Sequence, residues 1–67
     1  MHREIGDVVI FSFISEYRGL VEVEATIIDI YYSSYGADLF TEMSIRYDHF
    51  GDTITQHAVP IDSSTIK

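Results

Sequence analysis

The sequence predicts an all-β fold, with residues 1–67 forming one small domain of five short strands. Apolar and polar residues alternate along separate stretches of the chain, as they do in strands with one buried face. Polar segments, most containing glycine, interrupt these stretches at short intervals, and no stretch has helical periodicity. The chain has 67 residues, 46% of them hydrophobic, which is enough for one core and too few for a second domain.

The first two strands are predicted at residues 7–13 and 20–32, separated by a polar loop at residues 15–19. The second begins with alternating residues, Val21, Val23, Ala25 and Ile27 on one face and Glu22, Glu24 and Thr26 on the other. The phase then changes, because Ile28, Ile30 and Tyr32 continue the apolar set. One extra residue near Ile27 and Ile28 should therefore form a bulge or bend, so that one long strand serves both sides of a barrel.

The remaining elements follow from turn residues and alternation. Residues 33–36 have the composition of a turn, and residues 37–47 form a third strand, with Leu39, Thr41, Met43, Ile45 and Tyr47 on one face and Glu42, Ser44 and Arg46 on the other. A turn at residues 48–52 leads into a fourth strand at residues 53–59. Pro60 ends that strand, and a single 3-10 turn at residues 61–65 precedes a brief fifth strand at Ile66.

Four segments carry a resemblance to a known fold. They are Gly6-Asp7-Val8-Val9, Ala25-Thr26-Ile27-Ile28, Ile45-Arg46-Tyr47-Asp48 with Gly51-Asp52, and Val59-Pro60-Ile61-Asp62. In this order they resemble the SH3-like small barrels of the Tudor and KOW type, over nearly the whole chain. The resemblance implies a five-stranded barrel with a bent second strand. It implies no single function, because such barrels include RNA binders, methyl-lysine readers, ribosomal proteins and accessory subunits of enzymes.

Charge and composition exclude several classes of function. Eleven acidic residues against four basic ones give a net charge of -7, which argues against direct binding of DNA or RNA. With no cysteine, stability must come from apolar packing or from oligomerisation. The start of the sequence is unlike a signal peptide, and the apolar stretch at residues 20–32 is too short and too charged to span a bilayer. The protein is therefore expected in the cytoplasm. If it is encoded by a virus, this would be the cytoplasm of the host cell.

Aromatic residues at or near the predicted loops are the first candidate binding residues. These side chains could form an interaction patch for a protein partner or a cage for a cation, or they could fill the open ends of a small barrel. The candidates are Tyr17, Tyr31, Tyr32, Tyr35, Phe40 and Phe50.

Acidic residues on the predicted outer face are the second candidates. Carboxylates at alternate positions of a strand are about 6.6 Å apart, a spacing that would suit a DNA mimic. A charged outer strand that only faces solvent and discourages aggregation has the same pattern. The candidates are Glu22, Glu24, Asp29, Asp38 and Glu42.

Neither catalysis nor a bound cofactor is predicted. His2, His49 and His57 have no spacing that would bring them to a metal with Asp48 or Asp52. There is no cysteine, no G-x-S-x-G motif and no base evident beside a serine.

These observations favour a non-enzymatic protein-binding module that inhibits or modulates a larger partner. A virus- or phage-encoded inhibitor of a host enzyme or defence system would have this size and acidity. The alternatives are an accessory subunit of a cellular complex and an acidic DNA mimic that blocks a nucleic-acid-binding enzyme. A homodimer is also predicted, because the segment Val8-Val9-Ile10-Phe11 places apolar groups on both sides of the first strand.

Overall fold

A computed structural model describes residues 3–66, in which the chain forms one four-stranded antiparallel sheet. The strands are β1 (Val8–Ser15), β2 (Gly19–Tyr35), β3 (Asp38–His49) and β4 (Asp52–Pro60), in the spatial order β1-β2-β3-β4. The all-β prediction is therefore confirmed. Across residues 3–66 there is no helix with the length and apolarity needed to cross a membrane.

The turn between β2 and β3 differs from the one predicted. Residues 33–35 continue β2 instead of turning, because each is paired with β3, and Tyr35 is the last, opposite Asp38. The turn itself is Gly36 and Ala37, and Gly36 has a φ of 66°. The ladder of backbone hydrogen bonds thus outweighs the turn-like composition of these residues.

The turn between β3 and β4 is also tighter than predicted. It consists of Phe50 and Gly51, whose φ angles are 51° and 82°, while Asp48 and His49 belong to β3. Positive φ at both central residues is the geometry of a type I′ turn, whose twist matches that of the two strands it joins.

Two irregularities bend the sheet. The predicted bulge in β2 is confirmed, because the register shifts between Ile27 and Asp29 and leaves Ile28 without a partner on β3. A second bulge, in β4, was not predicted. There His57 and Ala58 together lie opposite Ser44, and Ala58 has a φ of 58°.

The core lies on one face of the sheet. Pairing across strands creates it, since Ile27 lies opposite Ile45. Met43 in turn lies opposite Val59. The bulge at Ile28 keeps Ile30 packed against the same core as Ile27. The buried cluster consists of Val9, Phe11, Ala25, Ile27, Met43, Ile45, Tyr47, Val59 and Ile66. We call the opposite face of the sheet the outer face.

The segment after β4 returns to β1. The Ile61 amide first donates to the carbonyl of Thr41 at 3.1 Å, and the Ser12 amide then donates to the carbonyl of Thr65 at 2.8 Å. Within residues 3–66 the structure has four strands and not five, because the predicted fifth strand is a single bridge between Phe11 and Ile66. Ordinary hydrogen-bonded turns take the place of the predicted 3-10 turn.

Candidate functional site

The hairpin of β2 and β3 extends beyond both neighbouring strands. β1 pairs with β2 only from Gly19 to Thr26, and the pairing of β4 with β3 ends at Glu42. Residues 31–42 therefore form a two-stranded projection, which we call the arm. The elongated dimensions of the molecule, 38 × 24 × 21 Å, agree with this projection.

Large apolar side chains are exposed on both faces of the arm. Tyr35 and Phe40 lie on the outer face, with ring centroids 5.5 Å apart. Tyr32 and Leu39 lie on the opposite face and are 74% and 70% exposed. Because neighbouring residues of a strand point to opposite faces, Tyr32 is separated from Tyr31 although the two are adjacent in sequence.

Tyr31 spans the outer face of β3. Its hydroxyl accepts a hydrogen bond from the amide of Ala58 in β4 at 2.8 Å. Because β3 lies between β2 and β4, the Tyr31 side chain must cross over β3 to make this contact. This crossing accounts for the burial of Glu42 and Ser44, which are only 6% and 4% exposed although they lie on the outer face.

Glu42 lies on the outer face of β3, as predicted, but it is buried there and does not face solvent. Its carboxylate is held by Tyr35, whose hydroxyl lies 3.1 Å from Oε1 and 2.9 Å from Oε2. The hydrogen bond to Glu42, followed by burial and by the negative charge of that carboxylate, raises the pKa of Tyr35 above its usual value. The site thus contains a buried carboxylate held by one neutral hydroxyl.

Ser44 and His57 form a pair that sequence analysis did not identify. The Ser44 Oγ and the His57 Nδ1 are 2.8 Å apart. The two residues are distant in sequence and meet only because of the bulge at Ala58, so spacing gave no signal. Since Ser44 is buried, a substrate carbonyl could not approach its Oγ without local opening, and the pair lacks the access that a nucleophile needs.

A groove of about 590 Å³ lies beside the arm. It forms where β4 ends at Pro60 and the chain turns away from the edge of β3. Its walls are largely apolar or aromatic, and its charged groups are two acids. The groove is lined by Tyr35, Leu39, Phe40, Glu42, Pro60 and Asp62, among others.

Two of the six candidate aromatic residues lie at the opposite end of the sheet. Tyr17 and Phe50 belong to the turns after β1 and β3, which share that end because the strands form an antiparallel meander. The Arg18 guanidinium already covers the Phe50 ring, 4.2 Å from its centroid. None of the six belongs to the buried core, and four of them lie on the arm, with Tyr31, Tyr35 and Phe40 on its outer face and Tyr32 on the opposite face.

The five candidate acids do not form one array. Glu22 and Glu24 are exposed in the part of β2 that pairs with β1, whereas Asp38 is exposed at the tip of the arm. Asp29 is exposed just after the β2 bulge. Glu42 is buried and lines the groove, so it does not extend the exposed acids into a row.

Within residues 3–66, no three histidine or acidic side chains are grouped closely enough to hold a metal ion. His49 packs edge-on against Phe13, with ring centroids 5.4 Å apart, and His57 contacts Ser44. His2 lies outside the described residues.

Comparison with protein-family models, with curated proteins and with solved structures gives no match. The arm and its groove are therefore assigned from geometry alone.

Proposed function

We propose that this chain is a cytoplasmic, non-enzymatic protein-binding module that inhibits or modulates a larger partner, and that it binds this partner through the arm. The arm carries the proposal, because it projects from the sheet with Tyr32, Tyr35, Leu39 and Phe40 exposed. In monomeric proteins, exposed apolar residues clustered in this way mark interaction sites.

Physical chemistry favours a bound state for the arm. The base of the arm contacts the rest of the chain through Tyr31 and Thr41, whereas its tip is a two-stranded hairpin, which by itself is only marginally stable in water and which a partner would cover. Tyrosine and phenylalanine are enriched at protein interfaces because they bury a large area with few rotatable bonds. The edges of the arm also have few backbone partners, so a strand of the partner could pair with them.

The same surface would serve an accessory subunit of a cellular complex. An inhibitor encoded by a virus or phage and acting on a host enzyme or defence system would use it equally well. DNA mimicry would depend instead on Glu22 and Glu24, and its binding should weaken steeply as salt increases.

A homodimer would use Val8 and Ile10 on the outer face of β1. A monomeric mass by light scattering over a wide concentration range would contradict the homodimer.

We further propose that the sheet closes into the SH3-like barrel that the sequence resembles. Two contacts support closure, the hydrogen bond from the Ser12 amide to Thr65 and the bridge between Phe11 and Ile66. Together they connect the segment after β4 with β1, the strand at the opposite edge of the sheet.

An affinity capture from native lysate tests the binding proposal. Three tagged proteins would be compared, namely the wild type, the arm variant Tyr32→Ser/Leu39→Ser, and the control Tyr17→Ser at the opposite end. All three residues are largely exposed, so the folds should be equally stable. We expect one dominant polypeptide that the wild type and the control retain at high salt and the arm variant loses.

Equal capture by the arm variant, or equal loss by the Tyr17 variant, would contradict binding through the arm. Retention only at low salt would favour the acidic mimic, and loss on Glu22→Gln/Glu24→Gln would then identify its surface.

A further inference from the structure

The carboxylate of Glu42 has unused hydrogen-bonding capacity. A carboxylate offers about four acceptor positions, whereas the Tyr35 hydroxyl supplies a single proton to both oxygens. Among the described residues, no arginine side chain and no backbone amide donates to Glu42 beside the Tyr35 hydroxyl. Burial of a negative charge without a cation is unfavourable, so the pocket is electrostatically incomplete.

The groove around this carboxylate has the properties of a site for an organic cation. The Tyr35 and Phe40 rings form one wall, and Pro60 contributes a further apolar surface. Asp62 adds a second negative charge to the lining. Aromatic faces attract cations, and apolar walls can hold the aliphatic stem of a long basic side chain. Two carboxylates among aromatic walls are too few oxygen ligands for a calcium ion.

We propose that this groove binds an arginine side chain presented by the partner protein. The guanidinium would donate to the free acceptor positions of Glu42 from the groove that this residue lines, with its plane stacked on one of the Tyr35 and Phe40 rings, which are inclined to each other at 57°. Arginine fits better than lysine, because its fork of N–H groups matches a carboxylate and its planar cation is weakly hydrated. The net charge of -7 would favour the approach of a basic surface.

An arginine of the chain itself does not take this place. Arg3 donates its Nε to the carbonyl of Ile61 at 3.2 Å and lines a neighbouring groove that shares Ile61 and Asp62 with this one, so Arg3 lies on the far side of Asp62 from Glu42 and does not line the groove of Glu42. The proposed occupant is therefore a residue of the partner, so the inference rests on the protein-binding function proposed above and gives the chemistry of one contact in it.

The test uses NMR titration of the full chain with three short peptides. They are acetyl-Gly-Arg-Gly-amide, the same peptide with uncharged citrulline, and the same peptide with lysine. We expect the arginine peptide to produce saturable shifts in the backbone amides of residues 35–42 and of Ile61 and Asp62. The citrulline peptide should bind about tenfold more weakly or worse, because its neutral urea can still donate N–H groups but lacks the positive charge that strengthens the contact with Glu42 and the attraction to the aromatic rings. Shifts spread over the whole surface, or equal binding of citrulline or lysine, would overturn the proposal.

Three variants of the groove and one control variant separate the groove from general attraction to an acidic protein. Glu42→Gln should weaken arginine binding about tenfold, whereas the exposed control Glu24→Gln should leave it nearly unchanged. Tyr35→Phe removes the hydroxyl that donates to Glu42 and should leave both carboxylate oxygens open to the guanidinium. Its loss of arginine affinity should therefore be smaller than its loss of folding stability. Phe40→Leu keeps an apolar wall and should still weaken binding, which tests the site even if Glu42→Gln fails to fold. Equal losses in Glu24→Gln and Glu42→Gln would overturn the assignment.

The two proposals can fail separately. If the wild type captures a partner through the arm and Glu42→Gln captures it equally well, the arginine site is wrong and the binding function stands. If the arginine peptide binds at the groove while no partner depends on the arm, the site stands and the proposed function is wrong.

Discussion

At the scale of single residues, the pair of Tyr35 and Glu42 makes the arm sensitive to alkaline pH. The tyrosine is half-exposed and the glutamate is buried, and the hydroxyl donates to the carboxylate only while it is protonated. Ionisation of Tyr35 would place two negative charges side by side. The folded protein therefore holds the Tyr35 proton more tightly than the unfolded chain does, which raises the pKa of Tyr35 above its ordinary value of 10.0.

The stabilisation from this pair should accordingly be complete below about pH 10 and be lost as pH rises through the raised pKa of Tyr35. Tyr35→Phe removes the titrating group, so its free energy of unfolding should decline less between about pH 8 and about pH 11 than that of the wild type. Urea unfolding at several pH values measures the difference. Tyr17→Phe serves as the matched control and should keep the wild-type decline. Parallel curves for the wild type and Tyr35→Phe would show that the pair contributes no pH dependence.

At the scale of elements, the two bulges determine which side chains meet. The β2 bulge keeps the apolar residues of a long strand on the core side, and the β4 bulge brings His57 to Ser44 and the Ala58 amide to Tyr31. The β4 bulge requires a left-handed backbone at Ala58, with a φ of 58°. This conformation is unfavourable for a residue with a Cβ, by about 1–2 kcal/mol.

Replacing Ala58 with glycine should therefore stabilise the protein. The free energy gained by relieving the backbone strain is larger than the entropic cost of ordering a glycine. The net gain in the free energy of unfolding should be about 0.5–1 kcal/mol. The Tyr31 contact uses the backbone amide and is retained in the variant. Ala37→Gly is the matched control, because Ala37 is not among the residues with positive φ and should lose stability on substitution. Thermal unfolding distinguishes the two, and a lower midpoint for Ala58→Gly than for the wild type would contradict the strain argument.

At the scale of the whole molecule, stability depends on a contact between distant parts of the chain. Ile66 is buried in the core and bridges to Phe11 of β1. A domain of this size has roughly 3–5 kcal/mol of net stability, so one core side chain is a large fraction of the total. The same contact joins the segment after β4 to the first strand of the sheet.

Ile66→Ala should lower the free energy of unfolding by about 2–4 kcal/mol, because it removes buried methylene groups and leaves a cavity. It should also speed hydrogen exchange at the Ser12 amide. This amide donates to the carbonyl of Thr65, the residue just before Ile66. Ile5→Ala is the control of the same chemistry at an exposed position and should change little. Equal effects of the two substitutions on denaturant midpoints would argue against closure through Ile66.

The strands and the β2 bulge could be predicted from sequence because they depend on local alternation. Period-2 patterns in Val21–Ile27 and Met43–Tyr47 identify one buried face whatever the chain packs against. The change of phase at Ile28 identifies the extra residue for the same reason. The lengths of the hairpins could not be predicted, since Ser33, Ser34 and Tyr35 have turn-like composition and become a strand only through pairing with β3.

For the candidate site, the sequence by itself determined the chemistry available, namely exposed aromatic residues and an excess of acids. The tertiary structure decided which of them meet. It separated Tyr17 and Phe50 from the arm by the length of the sheet, and it buried Glu42 because Tyr31 crosses β3 to reach Ala58. Contacts of this kind depend on strand order, register and an unpredicted bulge, which join residues far apart in sequence, whereas alternation carries information only about neighbours along one strand.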